Sequence, residues 1–197
     1  MKNMSIILTH WNDDRHLERA LRSLTGLDHN KTEVIIIDDG SDLSSQKFLS
    51  QSIQNIIPWA SFFLRDHAGV SAQRNFGASI ASGQIIKFLD ADDALIHNTT
   101  IRLVQLLIDN PKLLVAYGTS IFIDSISGHF FCQQQAIPKD NISNRNITVV
   151  SASAMKRSLF NEFEFCESVQ IVEDWDLWIR IWLRHGIDVF HQTDIRG

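Results

Sequence analysis

Residues 84–93, QIIKFLDADD, decide how the rest of the chain reads. An apolar run rich in β-formers ends in three carboxylates within four positions, Asp90, Asp92 and Asp93. A continuous apolar run bounded by turn residues marks a strand buried on both faces. The same pattern occurs upstream in MSIILT (4–9) and EVIIID (33–38), and SFFLR (61–65) reads as a further strand. Helical stretches separate these runs. In NDDRHLERALRSLTG, Leu17, Ala20, Leu21 and Leu24 fall at i, i+3, i+4 and i+7, with Asn12 or Asp13 as the cap and Gly26 at the end. A second helix is expected over about 44–57, stopped by Pro58, and a third in AGVSAQRNFGASIASG, closed by Gly83.

Four strands alternating with three helices predict an α/β fold, a mostly parallel central sheet with helices on both faces. Ligands of such sheets sit beyond the carboxyl ends of the strands. Three of the four strand ends carry polar clusters, THWND, DDGSD and DADD, and these are expected to meet in one crevice. The second half is less regular. TTIRLVQLLIDN predicts a helix stopped by Pro111. LLVAYGTSIFID and HFFCQQQ read as strands around the turn SISG, and SASAMKRSLF as a short helix. EDWDLWIRIWLRHG is an amphipathic helix with Asp174, Leu177, Trp178, Ile181 and Trp182 on one side and Gly186 after it.

A chain of 197 residues suits one domain, here 1–197, with halves of about 1–98 and 99–197. Hydrophobic residues make up 44%, enough for a full core. The net charge is −5 and no basic stripe occurs, which argues against a nucleic-acid binder. A nucleotide ligand stays open, because a metal ion can neutralise phosphates locally. Cys132 and Cys166 have neither CxxC nor metal-site spacing and read as reduced thiols. The N-terminal apolar run is too short for a signal core, and no stretch approaches the roughly 20 apolar residues of a membrane span. The expectation is a cytoplasmic protein without a transmembrane segment, touching at most the inner membrane face.

Each polar cluster has a chemical and a plain reading. Two carboxylates ~4 Å apart repel by about 1 kcal/mol in water and by more at a protein surface. Asp90 and Asp92 would share one side on an extended exit from the strand. Their hard oxygens suit Mg²⁺ or Mn²⁺, which share their coordination with water and phosphates; the alternative is a solvated turn. Asp38 and Asp39 end a strand, where a carboxylate can bind a base or ribose, or simply shape a turn. Trp11 follows a strand and either stacks on a planar base or packs on the next helix. Arg74 suits phosphates or carboxylates, or an exposed helical position. Asp174 opens a helix, where acids favour the macrodipole by about 0.3–1 kcal/mol. Its place on the apolar stripe points inward, as a general base would.

Taken together, SIILTHWN, EVIIIDDGSD, GVSAQRNFGASIASGQIIKFLDADD and VEDWDLWIR resemble, in order and spacing, the family 2 glycosyltransferases. The resemblance runs from about residue 4 to residue 184. It implies the GT-A fold, an inverting sugar transfer from a nucleotide-sugar donor, by resemblance a UDP-sugar, and a saccharide or lipid-linked saccharide acceptor. It places Thr9 and Trp11 beside the base, Asp39 at the base edge, Arg74 near the nucleotide, Asp90 at the ribose and Asp92 on Mn²⁺ or Mg²⁺. Asp174 becomes the catalytic base. Members of the family usually continue beyond the ED helix, some with a further metal ligand, for which His191 is the candidate here. The short C-terminal part keeps a second reading open, a domain of this fold that binds nucleotide and transfers nothing. A pyrophosphorylase would need glycines after the first strand, and THWNDD has none. A phospho-acceptor signalling domain would carry its acidic pair after the first strand, whereas DD follows the second.

Overall fold

The computed structural model describes residues 2–123, 127, 129–133 and 142–193. Strands β1 (Met4–His10), β2 (Thr32–Asp39), β3 (Ser61–Arg65) and β4 (Ile85–Asp90) alternate with helices α1 (Asp14–Arg22), α2 (Leu43–Ile56) and α3 (Val70–Ile80). There follow α4 (His97–Asp109), β5 (Val115–Tyr117), β6 (Ser120–Ile123), β7 (Phe130–Gln133), β8 (Ser153–Lys156), α5 (Glu173–His185) and β9 (Phe190–Gln192). Seven strands form one sheet in the order β3-β2-β1-β4-β8-β5-β9, and β6 and β7 form a separate antiparallel ribbon. Among the described residues, only β8 runs against its neighbours in the large sheet.

Both faces of the sheet are covered, as continuous apolar strands require. Alternate residues of β1 enter two cores. Met4, Ile6 and Leu8 pack with Leu17 and Leu21 of α1, Leu49 and Ile53 of α2 and Leu103 and Leu107 of α4. Ile7 faces the other way, with Ala78 of α3 and Leu177, Trp178 and Ile181 of α5. Gly77 lets α3 come close to the sheet: a Cβ there would stand 2.5 Å from Ile7 Cγ2. The parallel register brings Thr9 level with Asp90 on β4 and with Ile37 on β2, and His10 level with Asp38. The carboxyl ends of β1, β2 and β4 therefore lie side by side.

Several local expectations fail. SASAMKRSLF is not a helix. Residues 153–156 form β8, inserted antiparallel between β4 and β5, and residues 157–161 form a 3₁₀ turn. Ala154 and Met155 are both fully buried but in opposite cores, a period of two that no helix face provides. LLVAYGTSIFID breaks after Tyr117 into β5 and β6, and the C-terminal segment supplies β9, parallel to β5. α1 ends at Arg22, short of Gly26, and α3 ends at Ile80, before Gly83. Neither Asn12 nor Asp13 caps α1: Asn12, at φ 49°, instead accepts from the Asp42 N–H at 3.0 Å and ties the end of β1 to the start of α2. Cys166 is a free thiol, and the Cys132 side chain lies outside the described residues.

Candidate active site

The sheet ends at Asp90, and the chain turns there. Asp93 N–H donates to Asp90 O at 3.0 Å, closing a turn over Ala91 and Asp92. The backbone is no longer extended there, so the period of two that would set Asp90 and Asp92 on one side ends with the strand. Asp90 faces α3: its Oδ1 accepts from Arg74 Nη2 at 2.7 Å and stands 3.4 Å from Thr9 Oγ1. The Asp92 carboxylate is exposed, while its backbone oxygen accepts from the Arg19 guanidinium. Asp93 accepts from Ser151 Oγ.

Arg74 joins this turn to the opening of α5. It is 2% exposed, and its Nη1 donates to Glu173 Oε1 at 2.6 Å. Its guanidinium also stands 5.3 Å from the centre of the Phe165 ring. One cation thus holds an acid from each of two segments far apart in sequence, Asp90 and Glu173. Asp174, next to Glu173, is partly buried and accepts from Asn146 Nδ2 at 3.0 Å and from the Trp175 N–H at 2.7 Å. Burial raises its carboxyl above the ordinary aspartate range, and these two donors only partly offset that. Val172, a β-branched residue at φ 61°, immediately precedes α5, a strained entry to the acidic pair.

At the end of β2, Asp39 is 4% exposed. It accepts from Ala68 N–H at 2.8 Å, Gly69 N–H at 3.0 Å and Gln73 Nε2, so it anchors the loop that starts α3. Gly40, at φ +72°, lets that loop approach: a Cβ would come within 2.6 Å of His67 N. Trp11 is 54% exposed and stacks on His67, ring centres 4.7 Å apart. Asp38 is fully buried instead, holding His10 Nδ1 at 3.0 Å and the Ser41 N–H at 2.9 Å.

Thr9 and Arg74 thus both meet Asp90, and Asp174 sits beside Arg74's second partner. Trp11 and Asp39 form a second cluster, joined through His67, on the two neighbouring strand ends. Asp92 projects from the same end of the sheet. His191 lies apart. It is on β9, three strands from β4, about 14 Å away sideways at the usual strand spacing. Glu173, His67, Gln73 and Asn146 were not singled out by the sequence. Glu173 had a signal as the first of the two acids in the VED triplet, and His67 in its place on a loop at a strand's carboxyl end.

Lys87 is a further residue that the apolar run concealed. It is 2% exposed on β4 and donates to Ser151 O at 2.5 Å and Ser153 O at 3.0 Å, beside the Asp93 that Ser151 binds. Burial pulls its ammonium down to about 7, against a weaker upward pull from Asp93. Between about 7 and the unfolded value near 10.4 the folded chain binds fewer protons than the unfolded one, so this group makes stability rise with pH in that window. Wild type should gain on Lys87→Met by up to about 1.4 kcal/mol per pH unit between pH 7 and pH 9. Urea unfolding at the two pH values checks this; a constant difference between the proteins would refute it.

Comparisons with known proteins identify the family and the fold. The sequence profile described as "Glycosyl transferase family 2" matches residues 5–162. A GalNAc(5)-diNAcBac-PP-undecaprenol beta-1,3-glucosyltransferase of Campylobacter jejuni is 31% identical over 107 residues, 53% of this chain and 34% of that one. The UDP-Glc:alpha-D-GlcNAc-diphosphoundecaprenol beta-1,3-glucosyltransferase WfgD of Escherichia coli is 28% identical over 181 residues, 90% of this chain and 69% of that one. The chain spans about a third to a half of the length of the first curated relatives that it matches. Among solved structures, S. aureus TarS 1-349 in complex with UDP superposes with a TM-score of 0.77 at 18% identity, covering 100% of this chain and 59% of that one. M. tuberculosis glucosyl-3-phosphoglycerate synthase in complex with Mn²⁺, UDP and glucosyl-3-phosphoglycerate gives 0.67 at 17%, covering 98% and 70%. The fold is the GT-A fold of such enzymes, and the chain belongs to glycosyl transferase family 2.

Proposed function

We propose that this chain transfers a sugar from a UDP-sugar to a hydroxyl of a saccharide or lipid-linked saccharide, with inversion at the anomeric carbon. The observation that carries the reading is the Arg74 bridge, which ties the Asp90 turn to the acidic opening of α5. Donor-side and acceptor-side acids are thereby held as one rigid unit, which positioning of two substrates requires. The similar solved structures support the donor, since they include complexes with UDP and with UDP-GlcNAc. The names of the relatives support a diphosphoundecaprenol-linked acceptor. No described helix is long and apolar enough to cross a membrane. We place the reaction at the cytoplasmic membrane face, where such an acceptor is presented.

In this reading Trp11 and Asp39 hold the base and Asp90 the ribose, with Thr9 beside it. Asp92 would hold Mn²⁺ or Mg²⁺. The fit rests on its exposed hard-oxygen donor beside Asp90; no three metal-ligating side chains gather among the described residues, so the diphosphate and water would complete the coordination. When bound, the cation neutralises charge that grows on the leaving diphosphate. Asp174 takes the proton of the acceptor hydroxyl while that oxygen attacks the anomeric carbon from the face opposite the diphosphate. Arg74 keeps Asp90 in place and Glu173 beside the base.

Release of UDP from several UDP-sugars in the presence of a polyprenyl-diphosphate saccharide tests the proposal. Transfer to that acceptor supports it; UDP binding without turnover on any pair would assign the non-catalytic reading instead. Calorimetry addresses the metal. Asp92→Ala should lose about tenfold or more of the Mn²⁺-dependent affinity for UDP, and an unchanged affinity would remove Asp92 from the metal.

A further inference from the structure

We infer that the His67 imidazole is a displaceable occupant of the base subsite and sets its affinity for nucleotide. The inference rests on the proposed reading that the base binds at Trp11 and Asp39. A base at that place needs two things, the open face of an aromatic ring and a hydrogen-bond acceptor at its edge. His67 already holds both. Its ring stacks on Trp11 at 4.7 Å and 25° between planes, which leaves no room for a third planar group between them. Its Nδ1 stands 3.0 Å from Asp39 Oδ2 and 3.0 Å from Asp39 O.

Asp39 has little else to offer. A carboxylate presents about four lone-pair sites, and three are already used by the Ala68 and Gly69 N–H groups of the loop and by Gln73 Nε2 of α3. Those three anchor the loop, and two are backbone groups. The imidazole is the exchangeable partner, because its side chain is 53% exposed and can swing away by rotation about its own bonds. Like a pyrimidine, it is a planar ring with an N–H at its edge. In the free protein it stands in for the base, and each nucleotide that binds must first displace it. The cost of breaking one aromatic stack and one hydrogen-bonded contact is taken from the nucleotide's affinity.

Titration calorimetry with UDP, and separately with pyrophosphate, both with Mn²⁺, compares wild type with His67→Ala. The exposed position makes the variant safe for folding. His67→Ala should bind UDP about two- to tenfold more tightly, the worth of a lost stack, and pyrophosphate unchanged, because pyrophosphate has no base. Adding Trp11→Ala to His67→Ala should erase the gain. UDP affinity that falls or stays the same in His67→Ala overturns the inference and makes the ring a support for Trp11; so does an equal gain for pyrophosphate. If neither protein binds UDP while both remain folded, the reading of the site itself fails, and the inference with it.

Discussion

Asp174→Asn is expected to lower sugar transfer by about 10²–10⁴-fold, the usual worth of a general base, while UDP affinity stays within about twofold. The substitution keeps the shape and one oxygen, so the bonds from Asn146 Nδ2 and the Trp175 N–H can persist. It removes only the capacity to take a proton. The surroundings favour that capacity, since burial raises the Asp174 carboxyl and makes its carboxylate a better acceptor than an exposed aspartate would be. The same shift fixes the pH dependence. The base must be ionised, so kcat/KM should fall as pH drops through a value above the ordinary aspartate range.

Stability runs the other way. A carboxyl whose folded value is raised contributes fully below its unfolded value and loses that contribution as pH rises through the folded one. At neutral pH the ionised Asp174 is therefore a burden on the fold, and Asp174→Asn should melt no lower than wild type. An inactive but equally stable protein is the expected signature of a site that gives up stability for chemistry. Near wild-type transfer by Asp174→Asn would remove this residue from the role.

What the sequence could disclose follows from where the determinants of each element lie. β1, β2 and β4 carry their own signal, since each is a continuous apolar run buried on both faces. β8 does not. Ser153–Lys156 has no β-branched residue, and its strand state comes from the slot between β4 and β5, segments roughly 70 and 40 positions away in sequence, where tertiary pairing overrides local preference. β9 has three residues and exists because β5 offers an edge. The polar strand ends were legible as a group, because the topology rule sends them to one side of the sheet. Their pairings were not. Arg74 and Glu173 are 99 positions apart, and no spacing rule connects them. Lys87 shows the same. A lysine inside a buried strand must find acceptors, yet nothing in the run IIKFL points to its partners Ser151 and Ser153.

Arg74→Met should destabilise the fold by about 3–5 kcal/mol, the usual cost of removing one partner from a buried ion pair. The side chains of Asp90 and Glu173 are 31% and 15% exposed, so the lower end of that range is the better expectation. For a chain of this size that is a fall in melting temperature of roughly 6–12 °C. The reason is electrostatic rather than steric. Methionine fills much of the same space against Phe165, but it leaves two carboxylates facing each other with no cation between them. Arg74→Lys should recover only part of the loss, because one compact ammonium cannot hold two acids in the fixed fork that a guanidinium offers. The triple variant Arg74→Met, Asp90→Asn, Glu173→Gln separates charge from packing. It should regain most of the stability, since neutralising all members of a buried network costs far less than orphaning some of them. It should regain none of the transfer activity, because the turn bearing Asp92 and the helix bearing Asp174 would no longer be fastened to each other. Thermal unfolding of the single and triple variants decides the matter: a loss below about 1 kcal/mol in Arg74→Met, or no recovery in the triple variant, would mean that the bridge between the two acidic segments does not hold the site together.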